Sequence, residues 1–107
     1  MFSSFEDFWP YYLRQHARKE TRHMHFIGTA LAALGLVAFV ITWDWRFPLV
    51  SLPLAYALSW IGHVREGNAP ATFTFPVWSF RGDIRMFRYW LAGRLSGELH
   101  RAGVADQ

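Results

Sequence analysis

Residues 23–43 and 47–64 contain no Asp, Glu, Lys or Arg, and only Asp44, Trp45 and Arg46 separate the two runs. The first run has 21 residues, close to the roughly 20 that a helix needs to cross a hydrocarbon core about 30 Å thick. The second has 18 and carries two prolines. Pro48 suits a first helical turn, whereas Pro53 predicts a kink. So short a connection forces two apolar helices to lie antiparallel, and Trp43 and Trp45 beside it are the amphipathic aromatics of a membrane interface. The expected fold is all-α: an integral membrane helical hairpin over residues 22–43 and 47–65, flanked by an N-terminal helix and a C-terminal interfacial amphipathic helix.

Charge placement orients this hairpin. Ten of the eleven Lys and Arg residues lie before residue 23 or after residue 64, with only Arg46 at the tip. By the positive-inside rule both termini face the cytoplasm. A net charge of +3 is then a basic skirt drawn to anionic lipid, not a nucleic-acid surface. The mean hydropathy of only +0.06 averages the apolar runs with this skirt. A soluble, fully buried helix pair is the alternative, and a single domain of 107 residues has little else with which to cover it. Residues 1–7 have no basic segment leading into an apolar core, so they do not read as a signal peptide.

Before the hairpin, Ser4 and Asp7 form a weak capping pair, and Phe5, Phe8, Trp9, Tyr12 and His16 share one face of a helix expected over residues 4–17. Pro10 is expected to bend it or reset its start, and Thr21 to cap the first apolar helix. Glu6 and Asp7 are the acidic first turn of a helix, not a catalytic pair. After the hairpin comes a Gly- and Pro-rich loop, residues 67–76. A helix over 77–95 follows, with Phe80, Ile84, Phe87, Leu91 and Leu95 as its stripe and Arg81, Arg85 and Arg88 beside it. Residues 96–107 read as a frayed tail.

The absence of cysteine removes disulfides, thiolate metal sites and cysteine nucleophiles, so any metal must be held by imidazole and carboxylate. His25 and His63 are equidistant from residue 44, the tip of the hairpin, so an antiparallel pair brings both to the same height. His16, nine residues before His25, can fold over that face. Glu66 lies one turn beyond His63 on the same helical side. His16, His25, His63 and Glu66 are thus a candidate ligand set for iron, zinc, manganese or copper, against the alternative of ordinary interfacial histidines. His23 and His100 read as surface residues. Arg81, Arg85 and Arg88 suit either an anionic lipid headgroup or substrate carboxylate, or a snorkelling basic face. Asn68 and Thr72 suit a ligand contact or a helix cap. Gly28, Ala32 and Gly35 offer a small-residue face for pairing with a second copy.

Four segments carry a family resemblance: residues 8–16 (FWPYYLRQH), 21–29 (TRHMHFIGT), 60–71 (Trp60, Ile61, Gly62, His63, then Glu66, Pro70 and Ala71) and 76–83 (PVWSFRGD). In this order the chain resembles the Mpo-type 2-hydroxy fatty acid dioxygenase family over roughly residues 5–95. The resemblance implies an integral membrane, iron(II)-dependent dioxygenase that uses dioxygen to shorten a 2-hydroxy fatty acid by one carbon. It places the family's histidine pattern on His16, His25 and His63, while its acidic residue follows the Gly-His pair at a spacing one longer than that of Glu66. The acyl chain is expected along the apolar helices near Leu31, Leu34, Leu58 and Trp60. The competing readings are a non-enzymatic membrane anchor that binds lipid and a zinc-dependent lipid hydrolase.

Overall fold

The structure is a computed structural model that describes residues 2–104. Among them it contains five α-helices, one 3-10 turn and no strand. The helices are α1 (Phe5–Arg14), α2 (Lys19–Thr42), α3 (Arg46–Glu66), α4 (Pro76–Leu91) and α5 (Leu95–Arg101), with the 3-10 turn Ala71–Phe73 between α3 and α4.

Helix α2 ends on Trp43, whose φ of 57° is left-handed without glycine, and its amide donates to the Phe39 carbonyl at 2.7 Å. The Asp44 carboxylate then accepts from the Arg46 amide at 3.0 Å and from its guanidinium at 2.9 Å, which starts α3 in the reverse direction. Close approach of the two helices depends on glycine. A Cβ on Gly28 would lie 2.8 Å from the Ala55 carbonyl oxygen, and one on Gly35 would lie 2.5 Å from Ser51 Cβ. Gly28 and Gly35, two of the three small residues on that face of α2, are therefore taken up within the chain by α3.

Both helices are long and apolar enough to cross a membrane. Away from their mutual contact they stay uncovered: Leu34, Val40, Ile41, Leu49 and Val50 are all more than half exposed. Protein packing concentrates at the other end of the molecule, where α1 meets α4 and α5. Phe8, Tyr12, Leu13, Met86 and Leu99 are almost fully buried there. Helix α1 forms because Ser4 accepts from the Asp7 amide at 3.2 Å and its aromatics repeat on one side. Pro10 lies within it without ending it.

Two local expectations change. Thr21 is not a cap, since α2 starts at Lys19 and the Thr21 hydroxyl instead reaches α3. The expected frayed tail after residue 95 contains α5, because Leu95, Leu99 and Val104 bury against α1 and the Trp9 indole donates to Glu98 at 2.9 Å. Residues 105–107 of that segment lie outside the described residues. Helix α4 buries Ser79, Gly82 and Met86 and turns Phe80, Ile84 and Leu91 outward.

Candidate metal centre

The three histidines reach one point from three elements. His16 follows the end of α1, in a turn whose carbonyls at His16 and Ala17 accept from the buried Arg22 guanidinium at 2.9 and 2.8 Å. His25 lies two turns into α2, and His63 lies in the last turn of α3. Register between the last two is set by Thr21, whose methyl side packs on Gly62 and whose hydroxyl donates to Glu66 at 2.8 Å. All three imidazoles are buried, with relative exposures of 1%, 5% and 2%. Their donor atoms lie within 4.8 Å of one another.

Hydrogen bonds at the outer nitrogens decide what the inner ones can do. His16 Nδ1 faces the Tyr12 carbonyl at 2.7 Å, and His25 Nδ1 faces the Thr21 carbonyl at 3.2 Å. A carbonyl only accepts, so both Nδ1 atoms carry the proton. His63 Nδ1 lies 2.6 Å from Asn68 Oδ1, and that amide is oriented by its own donation to the Gln15 carbonyl at 3.1 Å. His63 Nδ1 therefore donates as well. Each neutral ring is left with an Nε2 lone pair pointing inward, and the His16 and His25 Nε2 atoms are only 3.0 Å apart. Facing lone pairs at that distance repel unless a cation shares them. Burial holds the His16 imidazole well below its ordinary range, with the nearby His25 and His63 adding to the effect. That side chain resists protonation and remains a neutral donor. The set suits a divalent metal of intermediate softness, and each ligand has the outer hydrogen bond that fixes imidazole tautomers in metal sites.

Glu66 is not among the converging side chains. Its Oε1 accepts from the Arg18 amide at 2.9 Å and from Thr21, so it ties the start of α2 to the end of α3. The carboxylate nearest the imidazoles on the α4 side is Asp83, whose Oδ1 lies 4.0 Å from His25 Nε2 and accepts from the Tyr12 hydroxyl. Burial pushes the Asp83 carboxyl up to about 7, against the Tyr12 hydrogen bond. Beside it the Ser79 hydroxyl is buried with no hydrogen-bond partner among the described residues. Both face a cavity of about 20 Å³ with the three histidines, Trp60 and Thr72, room for about one water-sized group. Asp83 was legible as a lone acid on the face of α4 that also carries Ser79, Gly82 and Met86, although nothing local in the sequence says what that face meets.

The arginines lie elsewhere. Arg85 pairs with Glu6 at 2.7 Å, its guanidinium and that of Arg81 cover the Phe5 ring at 4.7 and 4.4 Å, and Arg88 is exposed. None joins the histidine cavity. His23 and His100 are exposed. The residues expected along one acyl groove separate: Leu31 and Leu34 line a cleft of about 670 Å³ toward the α2–α3 connection, whereas Trp60 lines the histidine cavity.

A family model described as 2-hydroxy-palmitic acid dioxygenase Mpo1-like matches residues 2–95. No curated protein and no solved structure matches the chain.

Proposed function

The chain belongs to the Mpo1-like family, and from that premise we propose that it is a membrane-embedded dioxygenase that shortens 2-hydroxy fatty acids by one carbon. Iron(II) is the metal of this reading, held by His16, His25 and His63. The observation that carries it is the convergence of three inward Nε2 lone pairs in a buried site. A bound iron(II) would supply the one-electron chemistry that lets dioxygen react with a closed-shell substrate, which no side chain here supplies alone.

The chain's own groups do the rest. Tyr12, Thr21 and Asn68 hold the three rings in the metal-binding tautomer. Asp83 and Ser79 present a proton acceptor and a free hydroxyl on the open side of the cluster, suited to the 2-hydroxyl and carboxyl of a substrate. Trp60 and Ala71 form part of the cavity wall. In this reading α2 and α3 span the bilayer with both termini on the cytoplasmic side, and the substrate arrives from the lipid. Arg81, Arg85 and Arg88 lie at the membrane surface, where anionic headgroups gather.

Glu66 acts here as a positioning residue and not as a ligand, because two donors already occupy its Oε1.

Elemental analysis of the detergent-purified chain, coupled to oxygen uptake with 2-hydroxypalmitate, tests the proposal. Stoichiometric iron and substrate-dependent uptake are expected, with release of the fatty acid one carbon shorter. A protein that binds no iron(II) and consumes no oxygen after reconstitution would be a lipid-binding anchor instead. Zinc in the site with hydrolysis of a lipid ester would make it a hydrolase.

A further inference from the structure

The histidine cavity is too small for a fatty acid, so the acyl chain must leave it by a defined route. A second cleft, of about 110 Å³, runs between α4 and the α2–α3 pair, with Gly28 and Ala32 from α2, Leu52 and Ala55 from α3, and Phe80 and Ile84 from α4 along its walls. Three further residues, Tyr56, Ser59 and Asp83, line both this cleft and the histidine cavity. The two spaces therefore meet, polar at the Asp83 end and apolar beyond it. Phe80, Ile84 and Tyr56 are 63%, 42% and 48% exposed, so the apolar end is open at its side.

We propose that this cleft receives the first methylenes of the acyl chain, with the carboxyl end at the histidine cluster and the remaining chain lying in lipid along α4. This rests on the reading of the site given above. Volume supports the division. At roughly 10–15 Å³ of free volume per water-sized group, a cleft of about 110 Å³ has room for only part of a long acyl chain beyond the functional head. Substrates are then selected by their head and by the atoms next to it, and the chain end meets no wall that would measure its length. The larger cleft near the α2–α3 connection is the rival site. It shares no lining residue with the histidine cavity. Its lining begins at Leu31, six residues from His25 along α2, about 9 Å at the helical rise, and runs from there away from the histidines toward the α2–α3 connection.

Photocrosslinking locates the chain without needing turnover. The zinc-loaded protein in nanodiscs is irradiated with 2-hydroxypalmitate carrying a diazirine a few carbons from the carboxyl group, and adducts are mapped by mass spectrometry. Adducts at Ala32, Phe80 or Ile84 that excess 2-hydroxypalmitate suppresses and hexadecane does not are expected. Suppressible adducts at Leu34, Ala38 or Val50 overturn the proposal. So does a lack of suppressible adducts in a protein that turns the substrate over. Turnover is assayed separately on the iron(II)-loaded protein: suppressible adducts at Ala32, Phe80 or Ile84 without turnover there support the cleft and overturn the reaction, and neither adducts nor turnover overturns both. As a second measurement, Ala32→Trp and the rim variant Ile84→Trp should each raise KM for 2-hydroxypalmitate by about tenfold or more, with kcat and metal content retained. Unchanged KM in both variants overturns the proposal.

Discussion

The Tyr12 hydroxyl donates to the Asp83 carboxylate, joining α1 to α4 beside the three histidines. Close approach of these helices requires Gly82, since a Cβ there would lie 2.9 Å from the Tyr12 ring. The same ring stacks on His16 with centroids 4.3 Å apart. One side chain therefore contacts both a candidate ligand, His16, and the acid that lies beside His25. Tyr12→Phe keeps the stack and leaves Asp83 without its donor, so it should destabilise the fold by about 1–3 kcal/mol. Chemical unfolding of the metal-free protein measures this, and a change within error of zero would show that the pair is not a structural tie.

Asp83 also predicts a pH dependence. Its folded value of about 7 lies above that of an unfolded aspartate, so the native state holds the proton more tightly. The resulting stability is fully present below about pH 4 and is lost as pH rises through about 7. His16 runs the other way, because its folded value is depressed and its contribution is lost as pH falls. The difference in stability between the wild type and Asp83→Asn isolates the carboxyl group. Measured in chelator, the wild type should lose stability relative to the variant from pH 4 to pH 7.5, and a flat difference would contradict the burial of Asp83.

Asn68 is expected to tune the metal without touching it. It accepts from His63 and is itself held by the Gln15 carbonyl, both within hydrogen-bond range. Asn68→Ala removes the acceptor that sets the His63 tautomer and should weaken cobalt(II) or zinc affinity by roughly 10–100-fold, the usual effect of losing an outer partner. Calorimetric titration reads the affinity directly, and circular dichroism checks that the helices persist.

The last helix gives a test of folding. Leu99 is 2% exposed and packs with Leu95 and Val104 in the aromatic core. Leu99→Ala should cost about 2–5 kcal/mol, whereas in a frayed tail the same change would be silent. Thermal unfolding separates the two.

The sequence made some of this legible because membrane-length apolar runs and a three-residue connection leave few geometries. Equal distance from the tip brings His25 and His63 to one height, and a short polar link returns His16 to them. Other features depend on docking that no local period encodes. The spacing of Glu66 from His63 says that they share a helical face, but not that Thr21 and the Arg18 amide are the nearer partners on that face. Asp83 reaches the cluster only because α4 turns Ser79, Gly82 and Met86 inward. Helix α5 has seven residues, too few for a periodic signal, and forms because Leu95 and Leu99 find α1.

Metal binding should register as stability. Three neutral imidazoles that converge only when α1, α2 and α3 are docked bind a divalent ion in the native state and not in the dispersed chain, so the ion stabilises the fold by linkage. At a free metal concentration of one hundred times Kd the gain is about 2.7 kcal/mol. Since His16 is held neutral by burial, protons compete poorly with the ion at this ligand near pH 6. Iron(II) under anaerobic conditions, or zinc, should raise the midpoint of thermal unfolding in the wild type. His16→Ala should abolish most of that rise and Glu66→Gln should retain it, because Glu66 ties α2 to α3 without donating to the cluster. An equal loss of the metal-induced shift in both variants would return Glu66 to the ligand set and overturn the three-histidine assignment.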